Sequence, residues 1–226
     1  MRKKPHSDNG KFYLPKEALI ASGVKEGDRI ADYLAKLDQL NQQFVREMKP
    51  SDDLLNKASL LFRWLWLKKP ARYQLGGSFG LDEVIDAQLS KDTQTVGNCL
   101  GLTLLYNSLL LRMGIKAEAL YLEDAFEIGP HVLTILRIRG SMIDVENILP
   151  NGFGYKGHVN NPSRIRWQDK DLVADIYHSA GNESFQRGDL SAALNYYNAA
   201  ITLNPHYERA CVNRAILLDK IKMEKV

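Results

Sequence analysis

Residues 97–114 read GNCLGLTLLYNSLLLRMG, and this stretch decides the fold. Asn98 is a good helix N-cap and Gly114 a good C-terminal stop. Between them Leu102, Leu105, Leu109 and Met113 form one face, while Leu100, Leu104 and Leu111 fill the others. A helix apolar on most sides lies centrally in a core. Three strand-like segments follow, at 116–122, 131–138 and 142–147, with Arg139-Gly140 as the hairpin turn between the last two. The expectation is an α+β fold in which this helix packs on an antiparallel sheet.

N-terminal to this stretch, residues 1–15 read as a flexible tail. From Pro15 to about Lys69 the pattern is helical, with Ile30, Leu34, Leu37 and Leu40 forming a stripe. Pro50-Ser51 opens a further helix with Ser51 as N-cap, running through Leu54, Leu55, Ala58, Leu61, Phe62, Leu65 and Trp66. Its RWLWLKK end reads as core-facing aromatics beside solvated lysines rather than as a membrane anchor. Gly76–Gly80 is a loop without the Lys-Ser/Thr of a phosphate-binding loop. A helix follows at about 81–89.

C-terminal to it, residues 150–163 (Pro150, Gly152, Gly154, Gly157, Asn160, Asn161, Pro162) read as a linker. Helical periodicity then resumes. Ala180, Gly181, Ala193, Ala200 and Pro205, interleaved with Tyr177, Phe185 and Tyr197, give the small/large alternation of a 34-residue tetratricopeptide repeat. A second copy begins at Glu208 and places Cys211 and Ala215, making Cys211 a buried packing residue. The predicted organisation is a tail at 1–15, a helical region plus core at 16–163, and a tetratricopeptide-like segment at 164–226. One repeat and one helix cannot bury their own apolar face. Tyr177, Phe185, Leu190, Leu194 and Tyr197 therefore need cover from the N-terminal helices of the same chain or from a second copy of the protein, and docking within the chain is expected.

Composition sets the bounds on function. The 226 residues are 45% hydrophobic and 25% charged, ordinary for a globular chain. No apolar run approaches the roughly 18 residues of a membrane span, and the basic N-terminus has no signal-type apolar region behind it. Two cysteines make neither a disulfide framework nor a zinc site. A cytoplasmic protein is expected. The net charge of +3 is uneven: residues 1–80 carry 15 Lys/Arg against 9 Asp/Glu, and residues 81–150 carry 5 against 10. The motif-rich part is thus acidic, which argues against nucleic acid as partner.

Three residues in that part carry chemistry. Cys99 lies in the first turn of the central helix, where free N–H groups and the helix dipole stabilise a thiolate; a buried structural thiol is the plain alternative. His131 opens the strand HVLTIL, either satisfied by a backbone carbonyl or free to act. Asp144, inside MIDVEN, needs a partner, which Arg137 or Arg139 can supply. A two-residue turn at Arg139-Gly140 pairs residues whose numbers sum to 279, so His131 faces Ile148. Glu146 is then nearer to His131 than Asp144 is. His131, His158, His178 and His206 show no ligand spacing, so neither a metal nor a cofactor is expected.

The order Cys99, His131, Asp144, with LDEVIDAQL before the cysteine and Gly-Ile-Lys-Ala after its helix, resembles the transglutaminase-like superfamily of papain-related folds. The resemblance covers about residues 50–150. It departs from the family at Val132, where an aromatic is common, and in having no Trp before Asp144. It implies a Cys99-His131-Asp144 triad in a cysteine-dependent amide hydrolase or acyltransferase acting on a peptide or protein. Glu146 stands as the alternative third member. The Cys99 N–H would serve as oxyanion donor, and Gln94 is read either as a second donor or as an ordinary loop residue. The rival expectation is a non-catalytic scaffold whose repeat segment binds a protein partner, with Asn182 and Asn213 facing its groove.

Overall fold

Apolar periodicity and end-caps divide the chain, in the computed structural model, into eight helices and four strands among the described residues 12–25, 27–48 and 53–224. In chain order they are α1 (Leu14–Ala21), α2 (Gly27–Glu47), α3 (Leu54–Lys68), α4 (Leu81–Leu89), α5 (Cys99–Arg112), β1 (Ala117–Leu122), β2 (His131–Ile138), β3 (Ser141–Val145), β4 (Ile165–Trp167), α6 (Asp169–Gln186), α7 (Leu190–Leu203) and α8 (Glu208–Met223). The expected tail is shorter than read, since Leu14 and Pro15 are already buried in α1. Its residues 1–11 and the expected Ser51 cap lie outside the described residues. Asp53 caps α3 by accepting the Leu55 N–H at 2.9 Å.

The start of α5 is made possible by glycine. A Cβ on Gly97 or Gly101 would sit 2.6 or 2.5 Å from the Ser78 carbonyl oxygen. Bare backbone lets the 76–80 loop lie on the helix end, where Ser78 O accepts the Asn98 N–H at 3.0 Å. Asn98 then caps α5 through its side chain, accepting the Gly101 N–H at 3.1 Å.

The sheet is antiparallel in the order β3-β2-β1-β4. Arg139 (φ 54°) and Gly140 (φ 78°) both take the left-handed conformation of a tight hairpin turn, setting the register Ile138↔Ser141 to Thr134↔Val145. Strand β4 lies in a stretch read as helical. Three residues are too few for alternation to show, and Trp167 is fixed by stacking on Tyr121, 4.2 Å between centroids and 8° between planes.

Helix α5 is tied to the sheet by a buried polar network. Thr134 Oγ1 donates to Asn107 Oδ1 at 2.7 Å, and Thr103 Oγ1 donates to the Val132 carbonyl at 3.2 Å. Asn147 Nδ2 donates to both hydroxyls, at 3.1 and 2.9 Å. Trp64 and Trp66 are buried, and Trp64 Nε1 donates to Glu47 at 3.0 Å. Among the described residues no helix is long and apolar enough to cross a membrane.

The last three helices share the main core. Leu172, Val173, Ala174, Ile176, Ala200, Tyr207 and Ala210 join it beside residues of α1 and α5, with Tyr177 packed against it. Phe185, Leu190, Leu194 and Tyr197 instead cover one another around Ala193 and Leu217. The docking face is therefore mainly the first half of α6, Tyr177 included, while the other four residues expected to need cover lie in a separate cluster. Cys211 is partly exposed rather than buried, and Val212, Ile216 and Leu218 on the same helix are exposed.

Candidate active site

The capped first turn of α5 presents Cys99, partly exposed, beside the first residue of β2. That residue, His131, is 3% exposed. Its Nε2 lies 2.9 Å from both carboxylate oxygens of Glu146, which leaves Nδ1 free of the carboxylate. Burial alone would hold His131 neutral. Hydrogen bonding and charge from Cys99 and Glu146 outweigh it and push the imidazole pKa up to about 10. Burial likewise opposes ionisation of Glu146, but hydrogen bonds from His131 and His158 and their charges hold its pKa below the usual value. The pair is a buried imidazolium and carboxylate.

Glu146 has a second imidazole. His158 Nε2 lies 3.0 Å from Oε2, and the Ile148 N–H approaches Oε1 at 3.4 Å. Phe126 stands edge-on to both histidine rings, 5.5 Å from His131 and 4.8 Å from His158. Its φ of 55°, and that of Glu127 at 59°, are unusual for residues with side chains. Tyr155 flanks His158 at 5.0 Å.

Asp144 is corrected as the partner of His131. Its carboxylate is gripped by Arg164, Nη1 to Oδ2 at 2.7 Å and Nη2 to Oδ1 at 3.1 Å. The observed register places Glu146 two residues closer to the start of β2, as the hairpin arithmetic requires. The 150–163 stretch is corrected as well, because it does not run as a solvated linker. Glu146 N–H donates to Gly152 O at 2.9 Å, and the N–H groups of Gly154 and Tyr155 donate to Asp144 O at 2.9 and 3.0 Å. A Cβ at Gly152 would collide with the Glu146 carbonyl.

His131, Glu146 and His158 offer ligand atoms all within 4.8 Å of one another, so these three can hold a metal ion. The histidines expected to stay scattered thus include one converging pair. Gln94 is exposed on the loop before Cys99. Asn182 and Asn213 are spent on each other at 2.8 Å, on Tyr197, and on the buried ring of His178. His158, Arg164 and Tyr73 escaped the sequence reading. Tyr73 is set by its bridge to Gly97, and burial together with the charges of Cys99 and Glu146 raises its pKa. The closing string Gly-Tyr-Lys-Gly-His carried no spacing signal, though a buried acid at position 146 calls for more than one donor.

No protein-family model and no solved structure matches the chain. A 45-residue stretch, 20% of the chain, is 44% identical to an uncharacterized protein of Methanocaldococcus jannaschii. That stretch spans 52% of the relative's length.

Proposed function

We propose that this chain is a cysteine-dependent amide hydrolase or acyltransferase acting on a peptide or protein, with a transglutaminase-like core and a tetratricopeptide-like C-terminal segment. One observation carries the reading: Cys99, at a helix N-terminus, adjoins an imidazole whose far nitrogen is held by a buried carboxylate. In this reading the Cys99 thiolate attacks a carbonyl carbon, and the carbonyl π-electrons move onto oxygen beside the Cys99 N–H. When the tetrahedral species collapses, the carbon–nitrogen bond breaks and His131 delivers its proton to the leaving amine. Glu146 holds the ring throughout and stabilises its charge while it carries the proton, the part expected of Asp144. The acyl group then passes to water or to an amine. A cytoplasmic setting belongs to the same proposal.

The test is acylation by p-nitrophenyl acetate. The expected result is release of p-nitrophenol with an acetyl group on the Cys99 peptide, lost in Cys99→Ala and strongly slowed in His131→Ala. Acetylation elsewhere, or no dependence on His131, overturns the reading. A second reading, a scaffold that binds a protein partner, has in its favour the uncovered Val212, Ile216 and Leu218 on α8.

A further inference from the structure

We infer that His158 is a positioning residue for the Cys99–His131 pair, acting through Glu146; the inference rests on the nucleophile reading above. The Glu146 side chain is fully buried, so protein groups alone must replace its water shell. One imidazole is a thin shell for a carboxylate with about four lone-pair sites. The Ile148 N–H, at 3.4 Å, is too long to add much. His158 Nε2, at 3.0 Å, is the second strong donor. An ionised carboxylate only accepts, so the nitrogen that His158 turns toward it carries the hydrogen.

The aim of His158 is itself built. Arg164 Nη1 holds the His158 carbonyl at 2.8 Å while the same guanidinium is anchored on Asp144. Phe126 and Tyr155 meet the ring edge-on, at 73° and 62°. This explains why Asp144 sits close by yet serves a different group: it fixes the arm that presents His158. The other titratable groups around the cluster are Cys99 from α5, Tyr73 from the loop bridged to Gly97, and Tyr155 from the segment that carries His158.

The consequence is geometric. With His158 in place, the Glu146 carboxylate is held from two sides and fixes the His131 ring. Without it, Glu146 is a buried carboxylate with one strong donor, free to turn away from His131.

The test is the rate at which iodoacetamide modifies Cys99 at pH 7, read by peptide mass to separate it from Cys211. In His158→Phe the rate is expected to fall roughly tenfold, about the worth of one hydrogen bond to a charged group. His158→Gln, which restores an N–H donor near the Nε2 position, is expected to recover most of the rate. Thermal melts show that each variant is folded. A His158→Phe rate equal to the parent's overturns the inference. So does a slowing that His158→Gln fails to repair. Parental Cys99 reacting no faster than free cysteine, and indifferent to His131→Ala, would instead overturn the nucleophile reading itself.

Discussion

Asp144 and Arg164 form a two-pronged ion pair, 2.7 and 3.1 Å between guanidinium nitrogens and carboxylate oxygens, at a position where a resemblance to transglutaminase-like proteins points to a histidine partner. The Asp144 side chain is 6% exposed and that of Arg164 21%. Breaking so covered a pair leaves one charge stranded. Asp144→Asn is expected to cost about 2 kcal/mol in urea unfolding. It should slow Cys99 alkylation far less than a change at Glu146.

Glu146→Gln keeps the shape of the side chain and removes its charge. The imidazolium of His131 then loses its counter-ion. Alkylation of Cys99 at pH 7 is expected to fall about 10- to 100-fold, the range of a charged hydrogen bond and its coulombic share. A rate unchanged from the parent would assign Glu146 to packing alone.

Stability should depend on pH through His131. Its folded pKa of about 10 lies above the ordinary 6.5, so between these values the folded chain holds a proton that the unfolded chain has released. The stabilisation is complete below pH 6.5 and lost as pH rises through about 10. Glu146, shifted the other way, contributes above its ordinary pKa and loses that contribution as pH falls through its lower folded value. Thermal midpoints are expected to decline from pH 6.5 toward 10, with a shallower decline in His131→Gln. Equal slopes would contradict the assigned imidazolium.

Thr134 joins helix and sheet, donating to Asn107 and accepting from Asn147. Thr134→Val matches it in shape but strands two buried polar groups, at an expected cost of about 1–3 kcal/mol. Urea midpoints measure the loss. A neutral result would mean that water replaces the hydroxyl.

Removing residues 169–226 uncovers the core surface on which Leu172, Val173, Ala174 and Ile176 pack. The truncated chain is expected to bind an apolar dye and to melt at a lower temperature over a broader transition, rather than retain the parental midpoint. Calorimetry of both chains distinguishes the outcomes.

The fold was legible where a local pattern meets a local cause. Asn98 and Gly114 bracket α5 because caps are local chemistry, and Arg139-Gly140 fixed the hairpin register by counting alone. That count already favoured Glu146 over Asp144 as the neighbour of His131. The 150–163 stretch was illegible because glycine, proline and asparagine mark both solvated linkers and tightly folded loops. At Gly152 the reason for glycine is the Glu146 carbonyl, a contact that composition cannot show. β4 is too short for its period to be read, and so the arm carrying His158 had no visible end.

The strand order has a temporal consequence. β3 and β4 lie on opposite edges of the sheet, so the chain between them crosses its full width. Glu146 and His158 both ride on that crossing. A nascent chain can close the β1–β2–β3 meander from neighbouring residues, while β4 reaches β1 only across more than forty residues of intervening chain. The arm that carries His158 is thus tied down at its far end by the longest-range strand pairing of the sheet, and whatever loosens that edge strand loosens the support of Glu146 with it.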